Sequence, residues 1–137
     1  GMDGADIGRL RAAHGADHIT NPVERGVFGF SGDAPSFDAA RWQGTDVLVH
    51  EATFIAPDAA DRGHCELSDV VLGASALNLK ALVLGHFSNR YDAEFIRSAI
   101  AREAAAAEIA FPIYAVLPLA TARDVLAGEP VWPGAAG

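Results

Sequence analysis

Three short apolar runs, each ending in polar or ionisable residues, limit what this chain can fold into. The central run is Val47-Leu48-Val49, which passes straight into His50-Glu51 and on through Ala52-Thr53-Phe54. Val27 to Ser31 leads to Gly32-Asp33, and Ala81-Leu82-Val83-Leu84 leads to Gly85-His86. Runs of this length and character read as buried strands. Between them the apolar spacing changes. Leu67, Val70, Val71, Ala74 and Leu77 fall at helical intervals across 66–78. Asp92 can cap a helix to about Ala107, with Phe95, Ile96, Ala99, Ile100 and Ala104 on its inner face. Ser36 can cap a shorter one over 37–43, which Gly44 ends. Before the first run, Asp6 to His14 reads as a helix with Ile7 and Leu10 on one side and Gly15 as its stop. Ala16 to Gly26 is a connection with a turn at Asn21-Pro22, and 56–63 is polar and turn-like. Past Pro112, Ile113 to Leu117 can add a fourth strand.

Strands alternating with helices imply a largely parallel sheet with right-handed crossovers. Ligands of such sheets sit beyond the carboxyl ends of the strands. Asp33, His50, Glu51 and His86 all fall at those ends, so the topology alone gathers them along one edge. An aspartate oxygen and a neutral imidazole are both metal donors. Taken singly, Asp33 reads better as a helix cap and His86 as a hydrogen-bonded structural histidine. Each makes the other more credible as a ligand. His64, following Gly63 just ahead of a helix, could touch a phosphate or give a proton to a leaving group. Glu51 could orient it, since a carboxylate fixes a histidine's tautomer. Arg90 could bind an anion, or be simply solvated. His14 and His18 read as surface residues. Cys65 has only His64 as a basic neighbour and does not suit a nucleophile.

The charge balance narrows the function classes. Ten Lys and Arg stand against 18 Asp and Glu, a formal net charge of -8, which is a poor basis for binding nucleic acid unaided. One cysteine excludes an internal disulfide and fits a reducing cytoplasm. No signal-peptide pattern opens the sequence, and no apolar run approaches the roughly 18 residues of a membrane helix. Gly1 ahead of Met2 reads as a remnant of tag removal.

These motifs together resemble a known family. Gly32-Asp33, Val49-His50-Glu51-Ala52-Thr53-Phe54, Gly63-His64 and Leu84-Gly85-His86-Phe87-Ser88-Asn89-Arg90-Tyr91 are similar, in order and spacing, to the C-terminal half of ribonuclease Z. That is the tRNA 3′-end-processing enzyme of the metallo-β-lactamase fold. Gly8-Arg9-Leu10 also resembles the segment leading into this half. The resemblance implies an αββα sandwich hydrolase with two zinc ions. It implies that Asp33 bridges both metals and that His86 binds one. It implies that Glu51 supports His64, which contacts or protonates the scissile phosphate ester. It moves His50 from metal ligation to a supporting role behind the ligands.

The departures are as informative. The family's His-x-His-x-Asp-His motif does not occur in this sequence, and with it go most of the metal shell and the aspartate that activates water. The family's tRNA-gripping arm has no counterpart either. Ala34 stands where the family has threonine, and Cys65 where it has serine or threonine, a weaker helix cap. The expectation is therefore an α/β fold: half of a metallo-β-lactamase αββα sandwich, a mostly parallel sheet flanked by helices. Residues 1–26 form an N-terminal helix and connection, and 27–137 the half-domain. Half a sandwich leaves one sheet face bare, so a homodimer or a separate N-terminal half is the expected partner. The expected function is that of a zinc-dependent phosphodiesterase half, inactive alone, without autonomous tRNA binding. The alternative is a non-catalytic, dimerising remnant of the fold.

Overall fold

A computed structural model describes residues 3–15, 26–56 and 63–135. The expected turn at Asn21-Pro22, the placement of His18 and most of the polar stretch between Ala56 and Gly63 lie outside those residues. The chain runs through α1 (Gly4–His14), β1 (Phe28–Phe30), a 3₁₀ turn (Ala39–Trp42), β2 (Val47–Glu51) and α2 (Leu67–Ala74). It continues through β3 (Ala81–Gly85), α3 (Ala93–Ala106), β4 (Ile113–Ala115) and a second 3₁₀ turn (Val125–Ala127). The four strands pair in parallel, in sequence order β1-β2-β3-β4. This α/β sheet with flanking helices is the expected half of a metallo-β-lactamase sandwich.

Strand alternation separates the two sheet faces. Leu48, Leu82, Leu84 and Ile113 point to one face and join Val70, Val71 and Ala74 of α2 and Ile96, Ala99 and Ile100 of α3 in a single core. Leu48, Leu82, Leu84, Ile96, Ile100 and Ile113 are all fully buried. The register sets Phe28 and Phe30 beside Val47 and Val49, then Ala81 and Val83, then Tyr114, on the other face. There Phe28 and Phe30 are each 66% exposed. Val83 on that face is still buried, because it sits between Val49 and Tyr114 at the sheet centre. Burial along all of Ala81–Leu84 thus comes from central position as well as from a covering layer. Gly29 lies between the two phenylalanines on the covered face, where an added Cβ would meet Leu48 at 3.0 Å and Trp42 at 3.1 Å. A side chain at that position would require Leu48 and Trp42 to give by a few tenths of an ångström.

Several boundaries differ from expectation. The turn after β1 is capped by Asp38, whose carboxylate accepts from the Ala40 N–H, and not by Ser36. It forms one 3₁₀ turn over 39–42 rather than an α-helix over 37–43. α2 begins after Glu66, which makes no side-chain capping bond, so Cys65 plays no part as a cap. It ends at Ala74, and Leu77 is buried from the turn beyond it. Phe95 is 49% exposed and stacks on Tyr91 instead of facing inward. α1 has the capping box of Asp3 and Asp6 but no buried residue, so Ile7 and Leu10 make no core face. Asp92 does cap α3, accepting from the Phe95 N–H at 2.8 Å. Among the described residues no helix is long and apolar enough to cross a membrane.

Candidate active site

The carboxyl ends of β1, β2 and β3 converge as the topology requires. Beyond β1, Gly32 takes a left-handed backbone (φ 59°), the region that favours glycine, and the chain turns to present Asp33. Beyond β3, His86 takes the same region (φ 59°), where a non-glycine residue is uncommon. Hydrogen bonds hold it there from both sides: Ala52 N–H to the Gly85 carbonyl at 3.0 Å and Ser88 N–H to the Thr53 carbonyl at 2.9 Å. Strain of this kind persists where surrounding structure over-determines it, and it clusters at functional sites. Asp33, His64 and His86 each offer a donor atom, and the three atoms lie within 4.8 Å of one another. Asp33 Oδ1 is 3.7 Å from His86 Nδ1, and the rings of His64 and His86 are 5.3 Å apart.

Glu51 is the hub behind them. It is 4% exposed, and its carboxylate is fully engaged. Oε1 accepts from the Ala34 N–H at 2.7 Å and from His64 Nδ1 at 3.0 Å. Oε2 accepts from the Thr53 N–H at 3.3 Å and from the Thr53 hydroxyl. Burial works to raise its pKa, but the bonds from Thr53, Ala34 and His64 outweigh that and hold it below the usual carboxylate value. Ser31 Oγ accepts from the Glu51 N–H, tying the end of β1 to β2. The bond pattern fixes protons as well. A carboxylate only accepts, so Nδ1 of His64 carries its hydrogen. The single Thr53 hydroxyl hydrogen goes to Glu51, so Thr53 Oγ1 accepts from His86 Nδ1–H across 3.0 Å. Both imidazoles therefore hold a hydrogen on Nδ1, which leaves Nε2 as the ring nitrogen available to a ligand.

The other expected site residues fall around this centre. His50 is buried; its ring lies 5.0 Å from Phe37 and edge-on to Trp42, on the core side of the sheet. Its Nδ1 donates to the Glu51 carbonyl at 2.8 Å, so it braces the strand end that carries Glu51. Burial keeps this imidazole's pKa below the ordinary histidine value. Arg90 lays its guanidinium over the Phe54 ring at 5.3 Å, and its Nε donates to Ser88 Oγ at 3.1 Å. With His64, His86, Thr53 and Phe54 it lines an open cleft of about 400 Å³. A second hollow of about 140 Å³ joins Asp33 and His86 to Phe30 and Val49 on the exposed sheet face. Cys65 is buried, and its thiol donates to the Ala34 carbonyl. Burial, with Glu51 and Asp69 nearby, pushes it up to about 11, which removes it as a nucleophile.

Two features escaped sequence reasoning. Thr53 links Glu51 to His86, and its signal was its place two residues beyond Glu51, at the same strand end. His64 comes within ligand distance of Asp33 and His86, a closeness between separate loops that no local pattern encodes.

Three relatives are similar to this chain in sequence. Ribonuclease Z of Marinobacter nauticus is 38% identical over 91 residues, covering 63% of this chain and 28% of the relative. Ribonuclease Z of Methanocaldococcus jannaschii is 41% identical over 86 residues, covering 57% and 27%. Ribonuclease BN of Escherichia coli is 34% identical over 87 residues, covering 60% and 28%. The chain carries a partial ribonuclease Z-like region. It spans about 28% of the length of the ribonuclease Z relatives it matches. No family model matches the chain. The ribonuclease Z likeness supports a hydrolase family of metallo-β-lactamase type.

Proposed function

We propose that this chain is the C-terminal half-domain of a ribonuclease Z-like, zinc-dependent phosphodiesterase, and that it is inactive until a second half completes its metal shell. The observation that carries the reading is the convergence of Asp33, His64 and His86 within 4.8 Å at one sheet edge, backed by the buried carboxylate of Glu51. Zinc accepts carboxylate oxygen and imidazole nitrogen, normally from three or four protein ligands. Three donors fit one ion; the described residues do not furnish a second such set. In the completed site Asp33 and His86 are the metal ligands. Bound zinc would supply Lewis-acid polarisation of the phosphoryl group. His64, held by Glu51, stands where it can give a proton to the departing oxygen. Arg90 lines the same cleft and can meet a non-bridging phosphate oxygen there.

The missing half has a surface to occupy. Phe28 and Phe30 are largely exposed on the face opposite the helices, and that face runs on through the hollow beside Asp33 and His86. A layer laid on it would bury those rings and reach the donor edge at once. An N-terminal half of the same fold meets both demands, and a second copy of this chain meets the first. The net charge of -8 supports leaving any grip on tRNA to the partner.

The test is to mix the chain with the N-terminal part of a ribonuclease Z and follow zinc-dependent hydrolysis of bis(p-nitrophenyl) phosphate. The chain alone should be silent and the pair active. His64→Ala should abolish the gain, and Phe28→Ser with Phe30→Ser should prevent pairing in light scattering. A pair that forms and takes up zinc yet hydrolyses nothing would overturn the hydrolase reading and leave the non-catalytic remnant. A stable dimer of the chain alone would make the second copy the occupant.

A further inference from the structure

We propose that in the chain on its own His64 is a metal ligand, so that Asp33, His64 and His86 together hold one divalent ion. The proposal rests on reading this edge as a metal site, and it gives His64 a role different from the proton donor of the completed enzyme. The argument lies in the hydrogens. Glu51 Oε1 takes the Nδ1 hydrogen of His64 directly at 3.0 Å. Glu51 Oε2 takes the Thr53 hydroxyl hydrogen, and Thr53 Oγ1 takes the Nδ1 hydrogen of His86 at 3.0 Å. One buried carboxylate thus sets the tautomer of both imidazoles, one directly and one through a hydroxyl. Nε2 is thus the nitrogen each ring offers a metal in its neutral form, and each has the carboxylate or hydroxyl partner that makes it a better ligand. Asp33 is 71% exposed at its side chain and carries no hydrogen-bonded partner that would have to be displaced beyond its 3.7 Å approach to His86. Two imidazoles and one carboxylate on three different loops make a three-ligand set with open positions toward the cleft.

This assignment has a chemical consequence. An imidazole that gives its Nε2 lone pair to a metal has no proton there to deliver. The lone chain would then be loaded and unreactive for the same reason. When a second half brings its own donors, His64 is the ligand most easily released, because it alone of the three is held directly by Glu51, on the segment leading into α2. Release frees its Nε2 to take up a proton from solvent, which the completed site then needs it to give to the leaving oxygen. Thr53 is a positioning residue in this scheme, since it acts on the metal only through His86.

The experiment is a Zn2+ titration of the full chain by calorimetry, paired with long-range 1H–15N correlation spectra of the histidine rings. One Zn2+ per chain is expected, with the Nε2 signals of His64 and His86 both moving on saturation. His64→Ala should weaken Zn2+ by more than about tenfold, and Thr53→Val, which removes only the relay to His86, by about 10–100-fold. Unchanged affinity in His64→Ala, or a His64 ring signal that ignores Zn2+ in the unsubstituted chain, would overturn the proposal. The spectra need no variant, so a misfolded substitution cannot mask the answer. Binding with a shifted His64 supports the proposal even if the completed pair hydrolyses nothing. Unchanged affinity in His64→Ala refutes it even if that pair is active.

Discussion

Replacing Glu51 by glutamine tests the hub of the site most directly, because the substitution keeps shape and removes only charge and acceptor capacity. Glu51 accepts four hydrogen bonds: from Ala34 N–H, His64 Nδ1, Thr53 N–H and the Thr53 hydroxyl. An amide has one oxygen to accept with and an NH2 that must point at donors. If the NH2 replaces Oε2, the Thr53 hydroxyl can rotate to accept from it, but the Thr53 N–H faces a donor. If it replaces Oε1, the Ala34 N–H does. Either way one backbone N–H in a buried setting loses its acceptor, at about 1–3 kcal/mol, on top of the weaker bonds made by a neutral group. We expect Glu51→Gln to destabilise the chain by about 2–3 kcal/mol at pH 7 in urea unfolding followed by circular dichroism. The pH dependence gives a second check. Glu51 has a folded pKa below its ordinary value of 4.5, so its stabilisation is present above that value and is lost as pH falls through the folded pKa. The unsubstituted chain should therefore weaken more steeply in acid than the variant, with the two curves converging once Glu51 is protonated. A variant as stable as the parent at pH 7, with an identical acid limb, would refute the network as described.

Two further outcomes concern the scaffold. At Gly73 in α2 an added Cβ would lie 2.3 Å from the Phe37 ring, whereas at Gly8 in α1 it meets nothing within 4 Å. Gly73→Ala should lower the melting temperature, by an overpacking cost of about 1–3 kcal/mol, and Gly8→Ala should raise it through about 0.5–1 kcal/mol of helix propensity. Cys65, buried and with its thiol pushed up to about 11, should resist Ellman's reagent at pH 8 in the folded chain and react at once in urea.

The fold was legible because the strands announce themselves twice, by apolar runs and by the polar residues that end them. Val47 to Glu51 and Ala81 to Gly85 pair in full, and their ends carry the site. Helix boundaries were less legible, since periodicity reports burial rather than hydrogen bonding. Leu77 is buried at the expected interval, yet it sits in a turn whose N–H bonds the Ala74 carbonyl at 2.9 Å. Phe95 misled for the opposite reason. Its ring finds an apolar neighbour in Tyr91, stacked at 5.6 Å, outside the core. In the site, Asp33, Glu51 and His86 followed from strand ends alone. The pairing of His64 with Glu51 followed only from a carboxylate's ability to orient an imidazole. The closeness of His64 to Asp33 depends on how two loops fold back over one edge, and the relay through Thr53 depends on where a single hydroxyl hydrogen points.

The two edges of the sheet are not equivalent. Beyond β4 the chain doubles back, and the Ile113 N–H donates to the Trp132 carbonyl at 2.8 Å while the Val131 N–H donates to the Ile113 carbonyl at 2.8 Å. The Trp132 indole then donates to the Ile109 carbonyl at 2.9 Å, locking that segment in place. The β4 side is therefore covered at Ile113 by the chain's own tail. End-to-end polymerisation through strand pairing needs two open rims on every unit, one to offer and one to receive. Among the described residues the tail already takes the Ile113 N–H and carbonyl on that rim, so an incoming strand finds fewer open backbone groups there with which to extend the sheet.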